Sequence, residues 1–137
     1  GYVAVCFEGF PDCLLIRRYR CPSCGCVIRL RPKGHFARIQ TAAVTIRHVL
    51  AVRITTGSWP TGVVTNRCRH WLAALKRNAI VVLGIGWAKR LMAAFGRLLA
   101  MGRVPVLALT ATVTATATVT VMHVALLSPD EECCAIF

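Results

Sequence analysis

Residues 21–25 read Cys-Pro-Ser-Cys-Gly, and this run is the most informative stretch of the chain. Two cysteines separated by two residues can place both thiolates on one tight turn, and Gly25 can adopt the backbone angles that such a turn needs. Structural zinc takes four ligands in a tetrahedral arrangement. The run therefore predicts a zinc knuckle, with Cys21 and Cys24 as the first two ligands.

The other two ligands are not named by the run itself. Cys6 and Cys13 lie upstream, on what could be a facing strand, and we expect them to complete the site; Cys26 and His35 are the alternatives. No basic segment followed by an apolar run opens the chain, so we expect no secretory signal and cysteines that bind metal instead of forming disulfides. An unmetallated knuckle and a thioredoxin-like redox motif are the competing interpretations.

Charge is distributed very unevenly. Lys and Arg number 17 against five Asp and Glu, which gives a formal net charge of +12. The carboxylates are Glu8, Asp12 and residues 130–132, so none lies between residues 13 and 129. Such a chain favours a polyanionic partner, either nucleic acid or an anionic membrane. Carboxylate-based two-metal cleavage needs several converging acids, and we therefore expect no enzyme.

Basic side chains flank the cysteine run on both sides. They fit the edges of a hairpin that contacts phosphates, which positions nucleic acid without specifying its sequence. The alternative is a charged edge that keeps a hairpin from aggregating. The candidate phosphate contacts are Arg17, Arg18, Arg20, Arg29, Arg31 and Lys33.

Hydrophobic residues at steps of three and four predict helices over residues 35–55, 65–83 and 87–101. We expect Thr65 to be the N-cap of the second helix. Short apolar runs before residue 34 favour strands instead.

The expected fold is mainly α. It comprises a zinc-ribbon-like β hairpin in residues 1–34, basic helices in residues 35–103, and a Thr/Val/Ala-rich tail in residues 104–137. Strict alternation at residues 110–121 makes that tail strand-like or irregular.

The second predicted helix has a basic side. Arg and Asn can make bidentate contacts to guanine and adenine edges in the major groove. A basic helix that follows another helix and a Gly/Pro segment is typical of a helix-turn-helix, although an ordinary solvated face has the same composition. The candidate DNA contacts are Asn66, Arg67, Arg69, His70, Lys76 and Arg77.

Residues 17–26, 29–34 and 67–72 together resemble small proteins encoded beside bacterial insertion-sequence transposases. That family is similar to the zinc-ribbon and helix-turn-helix region of a transposase without its nuclease domain, and the resemblance covers about residues 8–80. It implies a non-catalytic, DNA-binding accessory protein of a mobile element in the bacterial cytoplasm, at the nucleoid, acting beside a separate transposase chain. It also implies that Cys21 and Cys24 bind zinc and that Arg67 and Arg69 lie on the recognition helix.

Two alternatives to a DNA-binding protein remain open. Residues 104–127 carry no formal charge and are long enough to span a bilayer, which would make the chain a small membrane-associated basic protein. The last four residues also match a prenylation box, which we interpret as a coincidence. The second alternative is a degenerate mobile-element reading frame without function.

Overall fold

Three antiparallel strands form a sheet near the start of the chain, in a computed structural model that describes residues 1–108. They are β1 (Tyr2–Val5), β2 (Leu14–Arg20) and β3 (Val27–Arg29), in the order β1-β2-β3. The described chain divides into two units, residues 1–42 with the sheet and residues 43–108 with the helices.

The sheet has one inner and one outer face, because successive side chains of a strand point to opposite sides. Ile16 is buried on the inner face, and its cross-strand partner Val3 is half-buried. Leu15 and its partner Ala4 are exposed on the outer face. The first half of β2 therefore contributes to a small core on one side only.

Glu8, in the connection between β1 and β2, fastens the segment that follows the sheet. Its N–H donates to the Gln40 carbonyl (3.0 Å), and its side-chain Oε2 accepts a hydrogen bond from the Ala42 N–H (2.7 Å). The Glu8 carbonyl accepts a hydrogen bond from Nε2 of the buried His35 (3.0 Å). Residues 35–42 are therefore held against the connection between β1 and β2.

The second unit contains three α-helices: α1 (Ala43–Thr56), α2 (Thr65–Asn78) and α3 (Leu91–Ala100). A π-helical turn, Ala79–Leu83, and a 3₁₀ turn, Ile85–Lys89, join α2 to α3. Each helix contributes large side chains to one core. The most deeply buried of them are Ile46, Leu50, Leu75, Phe95 and Leu98.

Buried Asn78 ties the end of α2 to the segment after α3. Its Nδ2 donates to the carbonyl oxygens of Pro105 and Leu107, both at 2.8 Å. One side chain thus satisfies two backbone acceptors at residues that are far away in sequence.

The expectation of a mainly α fold is corrected by these elements. The architecture is mixed, with a three-stranded antiparallel sheet followed by three helices, and the sheet has one strand more than the predicted hairpin.

The helix predicted over residues 35–55 begins only at Ala43. Phe36 and Ile39 fit a helical period, but they line a cavity of about 700 Å³ in the sheet unit. Arg38 has φ of +65°, which is incompatible with a right-handed helix. The hydrogen bonds to Glu8 outweigh the helical pattern in this segment.

The other helix predictions fit more closely. α2 begins at Thr65 as expected, but Val64 occupies the N-cap position and no side chain caps the helix. Thr65 is therefore the first helical residue and not the N-cap. The predicted third helix starts later than Trp87, since residues 85–89 form the 3₁₀ turn.

Among residues 1–108, no helix is both long and apolar enough to cross a membrane. Most of the predicted span at residues 104–127 lies outside the described residues, as do the alternating segment 110–121 and the prenylation box.

Candidate nucleic-acid interface

The cysteine run forms the tight turn that its spacing predicts. The Cys21 N–H donates to the Cys26 carbonyl (2.8 Å), and the Gly25 N–H donates to the Cys21 carbonyl (2.9 Å). Gly25 has φ of +72°, a conformation that side chains with a Cβ rarely adopt. Cys21 is buried, while Cys24 and Cys26 are exposed.

Cys6 and Cys13, the other predicted zinc ligands, are joined by a disulfide. The pairing of β1 with β2 explains this, because Val5 lies opposite Leu14 and the next residue on each side is a cysteine. The expectation that these two cysteines bind metal and form no disulfide differs from the structure. Zinc requires thiolates, so the bonded sulfurs do not fit the predicted four-cysteine site.

Within the described part of the chain, no three side chains of His, Cys, Asp or Glu form a group that could hold a metal ion. His35, an alternative ligand, is buried with its ring edge-on to Phe7 at a centroid distance of 5.1 Å. Zinc binding by Cys21 and Cys24 therefore stays a prediction.

All six predicted phosphate contacts in the sheet unit are exposed. Arg18 lies directly opposite Arg29 on neighbouring strands, so the two share the inner face, and Arg20 follows two residues later on the same face. Like charges placed opposite each other destabilise a sheet, and a bound anion would relieve that repulsion. The six predicted phosphate contacts are Arg17, Arg18, Arg20, Arg29, Arg31 and Lys33.

Two of these arginines have contacts within the unit. The Arg31 Nε donates to the His35 carbonyl (3.0 Å). Arg17 lies on the outer face with its guanidinium 4.8 Å from the centre of the Tyr19 ring. Both contacts fix the side chain while leaving it exposed.

Most side chains of α2 are either buried or exposed. The buried set includes Cys68, Trp71 and Leu75. The exposed set contains every predicted DNA contact of the helix: Asn66, Arg67, Arg69, His70, Lys76 and Arg77.

Cys68, which lies between Arg67 and Arg69 in the sequence, is buried in the core. Burial raises the pKa of its thiol above the ordinary value of 9.0, outweighing the charge of Arg67 and a backbone hydrogen bond, which both lower it. The thiol is therefore protonated at neutral pH.

Sequence reasoning missed the outer face of the sheet. Tyr2 lies opposite Arg17, and Tyr19 follows on the same face, with 65% of Tyr2 and 40% of Tyr19 exposed. The signal was available in the strand period, but only the register between β1 and β2 brings the two tyrosines to neighbouring positions.

Comparisons with family models, with curated proteins and with solved structures give no match to this chain.

Proposed function

We propose that this protein binds nucleic acid without catalysing a reaction, with the basic side of α2 contacting duplex DNA and the arginines of the sheet unit contacting phosphates. One observation carries the proposal. All twelve predicted contacts are exposed, and the sequence supplies no carboxylate between residues 13 and 129 to neutralise them.

Arg18, Arg20 and Arg29 support the phosphate-binding half of the proposal. They share one face of two adjacent strands, and guanidinium groups bind phosphate oxygens through charge-assisted, often bidentate hydrogen bonds. A phosphate between Arg18 and Arg29 converts a repulsive cross-strand pair into two favourable contacts.

α2 supports the duplex-binding half. Its core-facing residues anchor it on the helical unit, so Arg67 and Arg69 project from a fixed support. α1, the eight connecting residues 57–64 and α2 give an arrangement like a helix-turn-helix with a long connection. We infer that α2 is the recognition helix.

A binding titration with matched charge changes tests this assignment. The double variant Arg67→Gln/Arg69→Gln and the control Lys89→Gln/Arg97→Gln each remove two exposed positive charges from the helical unit. We expect the α2 variant to bind a labelled duplex at least tenfold more weakly than the control, measured by fluorescence anisotropy at fixed salt. Equal losses in the two variants would show that only net charge matters and would overturn the role of α2.

The resemblance of residues 8–80 supports a narrower version of the same function. In it the protein is an accessory factor of a bacterial mobile element at the nucleoid, it acts with a separate transposase chain, and zinc on Cys21 and Cys24 braces the sheet unit. Co-purification with the transposase encoded beside it, when the two are expressed together, tests the partnership.

A further inference from the structure

The outer face of the sheet carries two aromatic rings and a cation in adjacent positions. Tyr2 and Arg17 are direct cross-strand partners, and Tyr19 lies diagonally from Tyr2. Diagonal neighbours of this kind are about 7 Å apart. We propose that this outer face binds single-stranded nucleic acid by stacking bases on Tyr2 and Tyr19, an inference that rests on the proposed nucleic-acid function.

The exposure of the two tyrosine rings favours stacking on bases. Small sheets that place aromatic side chains on an open face bind single strands by stacking successive bases on them. Tyr2 and Tyr19 are 65% and 40% exposed, and Leu15, on the same face of β2 but on the other side of Arg17, is 73% exposed. Stacking on a base would cover this apolar area.

The position of Arg17 beside Tyr19 favours the same ligand. Its guanidinium lies 4.8 Å from the centre of the Tyr19 ring, a cation–π contact that restrains both side chains. From there it can meet the phosphate that joins two stacked bases, or stack on a base itself.

The positive charge of the sheet favours a negatively charged partner such as a nucleic acid over an apolar partner. No strand of this sheet contains an acidic residue, and Arg17 lies on the outer face itself, while Arg18, Arg20 and Arg29 add positive charge on the opposite face of the same strands. The bases of a duplex are stacked on each other and paired, so their flat faces are closed to Tyr2 and Tyr19. We therefore expect this face to bind single strands and not duplexes.

Ring-removing and ring-preserving variants test the proposal. Tyr2→Ala and Tyr19→Ala are compared with Tyr2→Phe and Tyr19→Phe, using a labelled single strand and the duplex of the same sequence at one salt concentration. We expect each alanine variant to bind the single strand about fivefold to a hundredfold more weakly, the range that loss of one stacked base gives. The phenylalanine variants and all duplex affinities should stay within about twofold of the unmodified protein.

A cross-linking measurement on the unmodified protein keeps the test valid if an alanine variant fails to fold. A single strand containing bromouracil is irradiated with the protein, and the linked peptide is identified by mass spectrometry. Cross-links at Tyr2 or Tyr19 support the proposal. Cross-links confined to α2 would overturn it.

The outcomes separate this inference from the function it rests on. If the protein binds duplex in a salt-dependent way but alanine and phenylalanine variants bind single strands equally well, the stacking face is wrong and the proposed function stands. If the protein binds neither form of nucleic acid, the proposed function fails and takes the stacking face with it.

Discussion

At the scale of single residues, two buried side chains of α2, those of Asn78 and Cys68, allow predictions about stability. Asn78 is 3% exposed and satisfies two carbonyl oxygens. Cys68 is 2% exposed on the same helix. For both residues, physical chemistry fixes whether a substitution raises or lowers the stability of the folded protein.

Replacement of Asn78 should destabilise the helical unit. Asn78→Ala leaves the Pro105 and Leu107 carbonyls without their donor, at a cost of about 2–3 kcal/mol. Asn78→Asp should cost more, because a carboxylate cannot donate and would face two carbonyl oxygens. Chemical denaturation followed by tryptophan fluorescence measures both. An Asn78→Asp variant as stable as the unmodified protein would show that these hydrogen bonds do not form.

The Cys68 thiol should make stability depend on alkaline pH. Below its ordinary pKa of 9.0 the thiol is protonated in both states and contributes no pH dependence. Above that pH the unfolded thiol ionises while the folded one, whose pKa is raised, does not, so stability falls as pH rises. We expect a steeper loss above about pH 9 in the unmodified protein than in Cys68→Ala. Parallel curves for the two proteins would contradict this.

Exposure at the residue scale was largely foreseeable. The period of α2 placed Arg69 opposite Trp71 and Leu75, and the structure agrees. The hydrogen-bond partners of Asn78 were not foreseeable, because they lie at residues 105 and 107, beyond the reach of any local pattern.

At the scale of elements, the connection between β1 and β2 organises the whole sheet unit. The disulfide closes its ends, and Glu8 at its centre holds residues 35–42. The prediction of a helix from residue 35 failed for this reason: the apolar spacing was real, but Glu8 supplied competing hydrogen bonds through its carboxylate and its backbone.

Removal of the disulfide should loosen this element. Cys6 and Cys13 are seven residues apart, and closing so short a loop stabilises the folded state by about 2–3 kcal/mol in the chain-entropy model. We expect Cys6→Ser/Cys13→Ser to speed hydrogen exchange at the Ala42 amide, which Glu8 holds, while amides inside α3 keep their protection. Unchanged exchange at Ala42 would show that the loop is ordered without the bond.

The zinc prediction depends on the same bond. If Cys6 and Cys13 complete a site with Cys21 and Cys24, the oxidised protein takes up no zinc and the fully reduced protein binds about one equivalent. Metal analysis of both forms measures this, with Cys21→Ser as the variant that loses the metal and Cys68→Ser as the matched control that keeps it. Zinc uptake by the reduced protein that is unaffected by Cys21→Ser would contradict the predicted site.

At the scale of the whole molecule, sequence patterns predicted the order of strands and helices but not how much of the chain lies in strands. The three helices and a cysteine turn among strands were foreseeable from periodicity and from Gly25. The third strand was not, since Val27–Arg29 is too short to carry a visible period. The positions of Tyr2 and Arg17 as partners also depend on a register that only the folded sheet defines.

Whether the uncompensated positive charge of this chain holds a nucleic acid is best measured through the salt dependence of binding. Each phosphate contact releases condensed counterions, so about six contacts to duplex DNA should make log affinity fall with log salt at a slope near −5. The slope is measured by titrating a labelled duplex at several salt concentrations. We expect a slope near −5 that becomes shallower when Arg18 and Arg29 are replaced by Gln, and an affinity that does not change with salt would overturn the proposed nucleic-acid binding.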